Sequence, residues 1–158
     1  MKALALPFLF AAAILFDWWW GHYLGFWGLA PSWLFVLTIA LAAAEGPVPA
    51  QVLGFGWGLY LDVMAVHFFG ANALGFSLFA WAVGRARKHL DLSSAGSQAM
   101  LVGAASLFYF PFYWALSWLA SGSAMGSGPL AFLGLPLANA AAAPAIFYFL
   151  LPSRRRYG

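Results

Sequence analysis

Between Lys2 and Arg85 the chain carries no lysine or arginine. A stretch that long without one basic side chain cannot present an ordinary solvated surface. The chain of 158 residues is 65% hydrophobic and 7% charged, where a soluble domain is nearer half apolar and about a quarter charged. At roughly 20 apolar residues per membrane span there is room for about six helices and no separate soluble domain. The absence of cysteine removes disulfides, thiol redox chemistry and Cys-ligated zinc. These features describe an all-α polytopic membrane protein.

The basic residues fall at three places: Lys2, the cluster Arg85, Arg87 and Lys88, and the tail Arg154, Arg155 and Arg156. Basic residues mark cytoplasmic loops. All three groups share one side only if an even number of spans separates each pair. Four apolar segments fit between Lys2 and Arg85, and two between Lys88 and Arg154. The expected architecture is one transmembrane domain over residues 1–158 with both termini cytoplasmic. Its six spans lie at about 4–18, 26–44, 49–66, 71–86, 97–120 and 130–151. No stripe of Lys and Arg exists to track nucleic-acid phosphates, so the expected contact is with anionic lipid headgroups.

Several details refine this outline. Lys2 and the short apolar run after it also fit a signal peptide. No small-residue cleavage site follows, however, and Trp18, Trp19 and Trp20 suit an interfacial anchor. Glu45-Gly46-Pro47 ends the second span in a tight turn. Ser93 or Ser94 is a candidate N-cap for the fifth span. Pro111 should bend that span, and Pro136 and Pro144 should kink or break the sixth. The segment Ser121 to Pro129 is a flexible outward loop.

Four acids and three histidines are the side chains that could carry chemistry. Asp62 lies about 25 Å along the helix axis from Glu45, and an ionisable group in a span is a candidate site by default. The plainer role is a carboxylate that caps a neighbouring helix or bonds to Tyr60, His67 or Asn72. A proton-coupled carrier would need Asp62 as its titrating group, yet no second acid or arginine lies at comparable depth. Glu45 is placed to form a solvated ion pair with Arg85 or Arg87, and headgroup solvation accounts for Asp17 and His22. His22, His67 and His89 share no face, so no metal site is expected. No G-x-S-x-G occurs, and no serine pairs with an intramembrane His or Lys. The residues imply no enzyme and no cofactor. Gly54-x-x-x-Gly58 in the third span allows another helix backbone to approach closely, with Gly56 on a second face. Bundle packing and docking of a partner helix both use such faces, as they do the runs Ala11–Ala13 and Ala140–Ala143.

The order of features then resembles a known family. Gly54-Phe55-x-x-Gly58-Leu59-x-x-Asp62 is followed by Gly70-Ala71-Asn72-Ala73-Leu74 and by Gly84-Arg85-x-Arg87. This is similar to the bacterial rod shape-determining protein MreD family, most closely from Glu45 to Lys88. The stretch Val63 to Phe69 lacks the small, proline-containing turn common after that aspartate. The resemblance implies a small six-span protein of the bacterial inner membrane, with a fold similar to the S-components of energy-coupling-factor vitamin transporters. It implies a non-catalytic scaffold of the cell-wall elongation complex that helps maintain cell shape. The implied partners are MreC first, then MreB, RodA and a penicillin-binding transpeptidase, with membrane lipids around them. Gly54, Gly58, Asp62, Gly70 and Asn72 would serve helix packing or partner binding. The rival is a vitamin-binding S-component, in which Trp18 to Trp20 and the His67 loop enclose a ligand and His22, Asp62, His67 and Asn72 converge on it.

Overall fold

A computed structural model describes residues 5–23, 30–65, 69–121 and 129–150. The described residues form six α-helices joined by short connections, without β-strands. They are α1 (Ala5–Tyr23), α2 (Trp33–Glu45), α3 (Pro47–Met64), α4 (Ala71–Ala86), α5 (Ala95–Ser121) and α6 (Pro129–Leu150), with one 3-10 turn over Arg87–His89. Two segments, Ala95–Leu119 and Phe132–Leu150, are long and apolar enough to cross a membrane.

α2 is the axis of the bundle. Every residue from Leu34 to Ala44 is buried, and all five other helices touch it. Its 13 residues span only about 20 Å. The apolar sequence beginning near Phe26 suggests an earlier start, but residues 30–32 are not helical and 24–29 lie outside the described residues. Pro31 disfavours helical geometry in the residue before it, so Ser32 becomes the boundary. α1 runs further than its apolar stretch, through Trp18–Trp20 to Tyr23. Trp18 stacks on His22 at 5.7 Å and Trp19 packs on Tyr23 at 5.9 Å, each one helical turn apart.

α3 and α4 form the tightest antiparallel pair. Gly46, at φ 104°, turns the chain out of α2, and Pro47 opens α3, where its missing N–H costs nothing. A Cβ on Gly58 would lie 2.5 Å from the Ala73 backbone, and one on Gly84 would lie 2.6 Å from that of Pro47. Glycine at both ends of the pair thus lets the two backbones touch. On the same α3 face Gly54 receives the Thr38 methyl and Phe76. On the opposite face Gly56 receives the Phe10 ring, which stacks on Trp57 at 6.0 Å. The buried Trp57 indole donates to the Phe10 carbonyl at 3.2 Å, tying α1 to α3. α5 and α6 pair through Gly103 against Ala140. α6 runs through Pro136 and Pro144 without a break, and Pro111 lies inside α5.

Large apolar side chains cover the exterior, among them Val52, Phe55, Leu78, Phe108, Trp118, Leu137 and Phe149. Thr38, Asp62, Gln98, Ser106, Ser117 and Asn139 are buried. An apolar outside around polar interior groups is consistent with a membrane protein.

The glycine contacts give the first prediction. Gly58→Ala should lower stability by about 1–3 kcal/mol through backbone overlap. Gly21→Ala, which meets nothing within 4 Å, should leave it unchanged. Thermal denaturation of the two variants in detergent measures the difference.

Candidate functional site

A helix begins with N–H groups that have no partner inside it, and in apolar surroundings those donors must be met by other side chains. α5, which starts in the polar loop, solves this locally: Ser94 Oγ accepts the Ser97 N–H at 3.1 Å. α4 cannot, because its N-cap is Gly70, at φ 99°, which has no side chain to offer. Asp62 of α3 takes over that task. Its Oδ1 accepts the Asn72 N–H at 3.0 Å and the Asn72 side-chain amide at 2.9 Å, and its Oδ2 accepts the Ala73 N–H at 3.0 Å. These are the second and third helical N–H groups, the donors that a local N-cap would satisfy. A carboxylate there also faces the positive end of the helix dipole. Asp62 is only 2% exposed.

Gly58 and Asp62 stand one turn apart on the same face of α3. The missing side chain of the first lets α4 come close enough for the carboxylate of the second to reach it. The network continues outward, for Tyr109 of α5 donates its hydroxyl hydrogen to Asn72 Oδ1. Gly75 accommodates the Tyr109 ring, whose Cε2 would lie 2.7 Å from a Cβ there.

α2 follows the same rule. Its N-cap Ser32 makes no side-chain cap bond. Asp17 of α1 faces the backbone N–H groups of Trp33 and Leu34, and the Ser32 N–H donates to Asn139 Oδ1 of α6 at 2.7 Å. The Asn139 amide then donates to Ser106 Oγ of α5 at 2.9 Å. Asp17, for which the sequence suggests solvation by headgroups, is partly buried and also faces the start of α2. Phe16 and Trp20 pack edge-on against Trp33 beside it.

Between these networks lies a cavity of about 190 Å³ lined by Ser32, Asn72, Tyr109, Tyr113 and Asn139 together with apolar side chains. Of the four polar residues suggested to converge in the vitamin-binding alternative, Asp62 and Asn72 meet. His22 instead stacks on Trp18 and packs edge-on against Tyr23, and His67 lies outside the described residues. Among the described residues no three His, Asp or Glu side chains gather as metal ligands would.

The basic cluster lies at the opposite end of the α3–α4 pair. Arg87 Nη1 donates to the Ala44 carbonyl at 3.4 Å, and its guanidinium covers Gly46. Arg85 instead lies over the Trp81 ring at 5.7 Å, and Lys88 is exposed. Asp91 accepts the Ser93 N–H at 3.0 Å, and the Ser93 hydroxyl and N–H hold its carboxyl below the usual range. Arg154, Arg155 and Arg156 lie outside the described residues.

Sequence reasoning missed Tyr109 in the Asp62 network, and Asp17, Ser106 and Asn139 around the start of α2. The available signal was their isolation as polar residues in otherwise apolar segments.

Removing the Asp62 carboxylate should be costly. Asp62→Ala leaves buried donors unpaired at about 1–3 kcal/mol each, so its melting temperature in detergent should fall clearly below that of Tyr109→Phe, which loses one bond worth about 1 kcal/mol. Asp62→Asn, keeping one acceptor oxygen, should fall between them. Equal melting temperatures for all three would contradict the capping role.

Residues 1–123 match the family model described as rod shape-determining protein MreD. No curated protein and no solved structure matches the chain. The match covers more than half of the chain, and the protein belongs to the MreD family, whose members are membrane-associated and act in determining rod shape.

Proposed function

We propose that this chain is a non-catalytic scaffold of the cell-wall elongation complex, crossing the bacterial inner membrane six times with both termini in the cytoplasm. Family membership over residues 1–123 carries this reading. In it MreC is the direct partner, and MreB, RodA and a penicillin-binding transpeptidase belong to the same assembly. The polar groups support it. Asp62, Asn72, Tyr109, Ser106, Asn139 and Asp17 all engage partners inside the bundle. What the helices offer a partner is an apolar exterior, and association in lipid then proceeds by close packing rather than by exchange of buried charge.

The vitamin-binding alternative gains no support from the comparisons. The cavity of about 190 Å³ is also below the roughly 300 Å³ at which small-molecule pockets begin.

Two measurements test the proposal. MreC should co-purify with the native chain from a detergent extract, and its loss on washing under conditions that keep the chain folded would remove the scaffold reading. Because the chain has no cysteine, single substitutions report topology cleanly. Lys88→Cys and Ser153→Cys should be protected from an impermeant thiol reagent outside the cell, whereas Ser123→Cys should be labelled. Labelling of Lys88→Cys and Ser153→Cys to different extents would break the six-span arrangement.

A further inference from the structure

Two arginines two residues apart, Arg85 in the last turn of α4 and Arg87 at the start of the 3-10 turn, face different surroundings. Arg87 turns inward to the Ala44 carbonyl and the Gly46 turn. Arg85 is exposed and lies over Trp81. Leu74, Leu78 and Trp81 precede Arg85 at helical spacing, and each is about half exposed. Together they form one continuous stripe that changes from aliphatic to aromatic to cationic, with exposed Lys88 just beyond.

The length of the stripe matters. Leu74 to Arg85 is eleven residues, about 16 Å along the axis, close to the roughly 15 Å depth of hydrocarbon in one leaflet. Its chemistry changes along that length as a leaflet does, from acyl chain through the interface, where Trp concentrates, to the phosphate. Of the acids at this end, Asp91 is bonded to Ser93 within its own loop.

We propose that the stripe Leu74, Leu78, Trp81 and Arg85, with Lys88, is a binding site for one anionic phospholipid. Its phosphate is held by Arg85 and Lys88, and its acyl chain lies along the two leucines. The site rests on the reading of the chain as a membrane-spanning bundle and is independent of MreC.

The test is lipid titration of the purified, delipidated full chain, followed by native mass spectrometry, with phosphatidylglycerol, phosphatidylcholine and inorganic phosphate as separate probes. The native chain should prefer phosphatidylglycerol to phosphatidylcholine by about five-fold or more per engaged cation. Arg85→Ala should lose most of that preference at an unchanged melting temperature, and Arg85→Lys should keep much of it. Arg87→Ala should show the reverse pattern, a lower melting temperature with the preference retained. Three results would each overturn the site: no preference in the native chain, a preference that survives Arg85→Ala, or inorganic phosphate competing as well as the lipid. None of these results bears on whether MreC co-purifies.

Discussion

A helix that starts away from water must find acceptors for its first N–H groups, and this bundle meets that demand across helices rather than within them. α2 begins behind Ser32, which makes no cap bond, and α4 begins behind Gly70, which has no side chain. Asp17 reaches the first from α1, and Asp62 reaches the second from α3. Each bond that satisfies a helix end is therefore also a tie between two helices. In lipid, where burial of apolar surface drives association little, such ties and close backbone contact are the main sources of specific packing. The axial helix α2 illustrates the result: its first turn is held by α1 and α6 together, and its remaining length is packed on all sides.

The two sources of packing meet on a single face of α3. Gly54, Gly58 and Asp62 recur every four residues, so they line up on one side of the helix. The glycines bring Thr38, Phe76 and the first turn of α4 into contact, and the carboxylate then bonds that turn. Neither half works alone. With a side chain at position 58 the α4 backbone would stand off, and the Asp62 oxygens would fall short of the Asn72 and Ala73 amides. With a non-acceptor at position 62 the close approach would bury unpaired donors. Tyr109 and Asn72 extend the same network to α5, so four helices depend on this end of the α3–α4 pair.

Much of this was legible in the sequence, because local spacing encodes it. The cationic clusters and apolar lengths indicate a helical membrane protein, and Gly54-x-x-x-Gly58 announces a close helix contact. A capping role for Asp62 was foreseeable because Asn72 follows it at hairpin distance. The role of Asp17 was not. Its donors lie sixteen and seventeen residues on in another helix, and beside three tryptophans an acid reads as interfacial. Asn139 and Ser106 were hidden for the same reason, since nothing local says which polar residues in two apolar helices will meet. At the prolines, local chemistry leaves either a break or a kink open, and α6 runs through Pro136 and Pro144 without a break.

The two ends of the α3–α4 pair differ in what they leave available. At the Asp62 end the carboxyl group is enclosed and accepts three hydrogen bonds, so it fixes geometry and offers nothing outward. At the Arg85 end one guanidinium does comparable internal work on the α2–α3 turn while its neighbour stays outside over an indole. A membrane distinguishes these ends strongly. An exposed cation is stable only at the level of the headgroups, whereas an enclosed carboxylate whose oxygens meet their donors can sit deeper. The pair thereby acquires a fixed direction and depth relative to the cationic end. Because α2 joins α3 through Gly46 and receives Asp17 and Asn139 at its other end, that orientation passes to the whole bundle. A protein held at constant depth and tilt presents the same apolar faces at the same level to any neighbouring helix, as a shape-determining membrane component requires of its own fold.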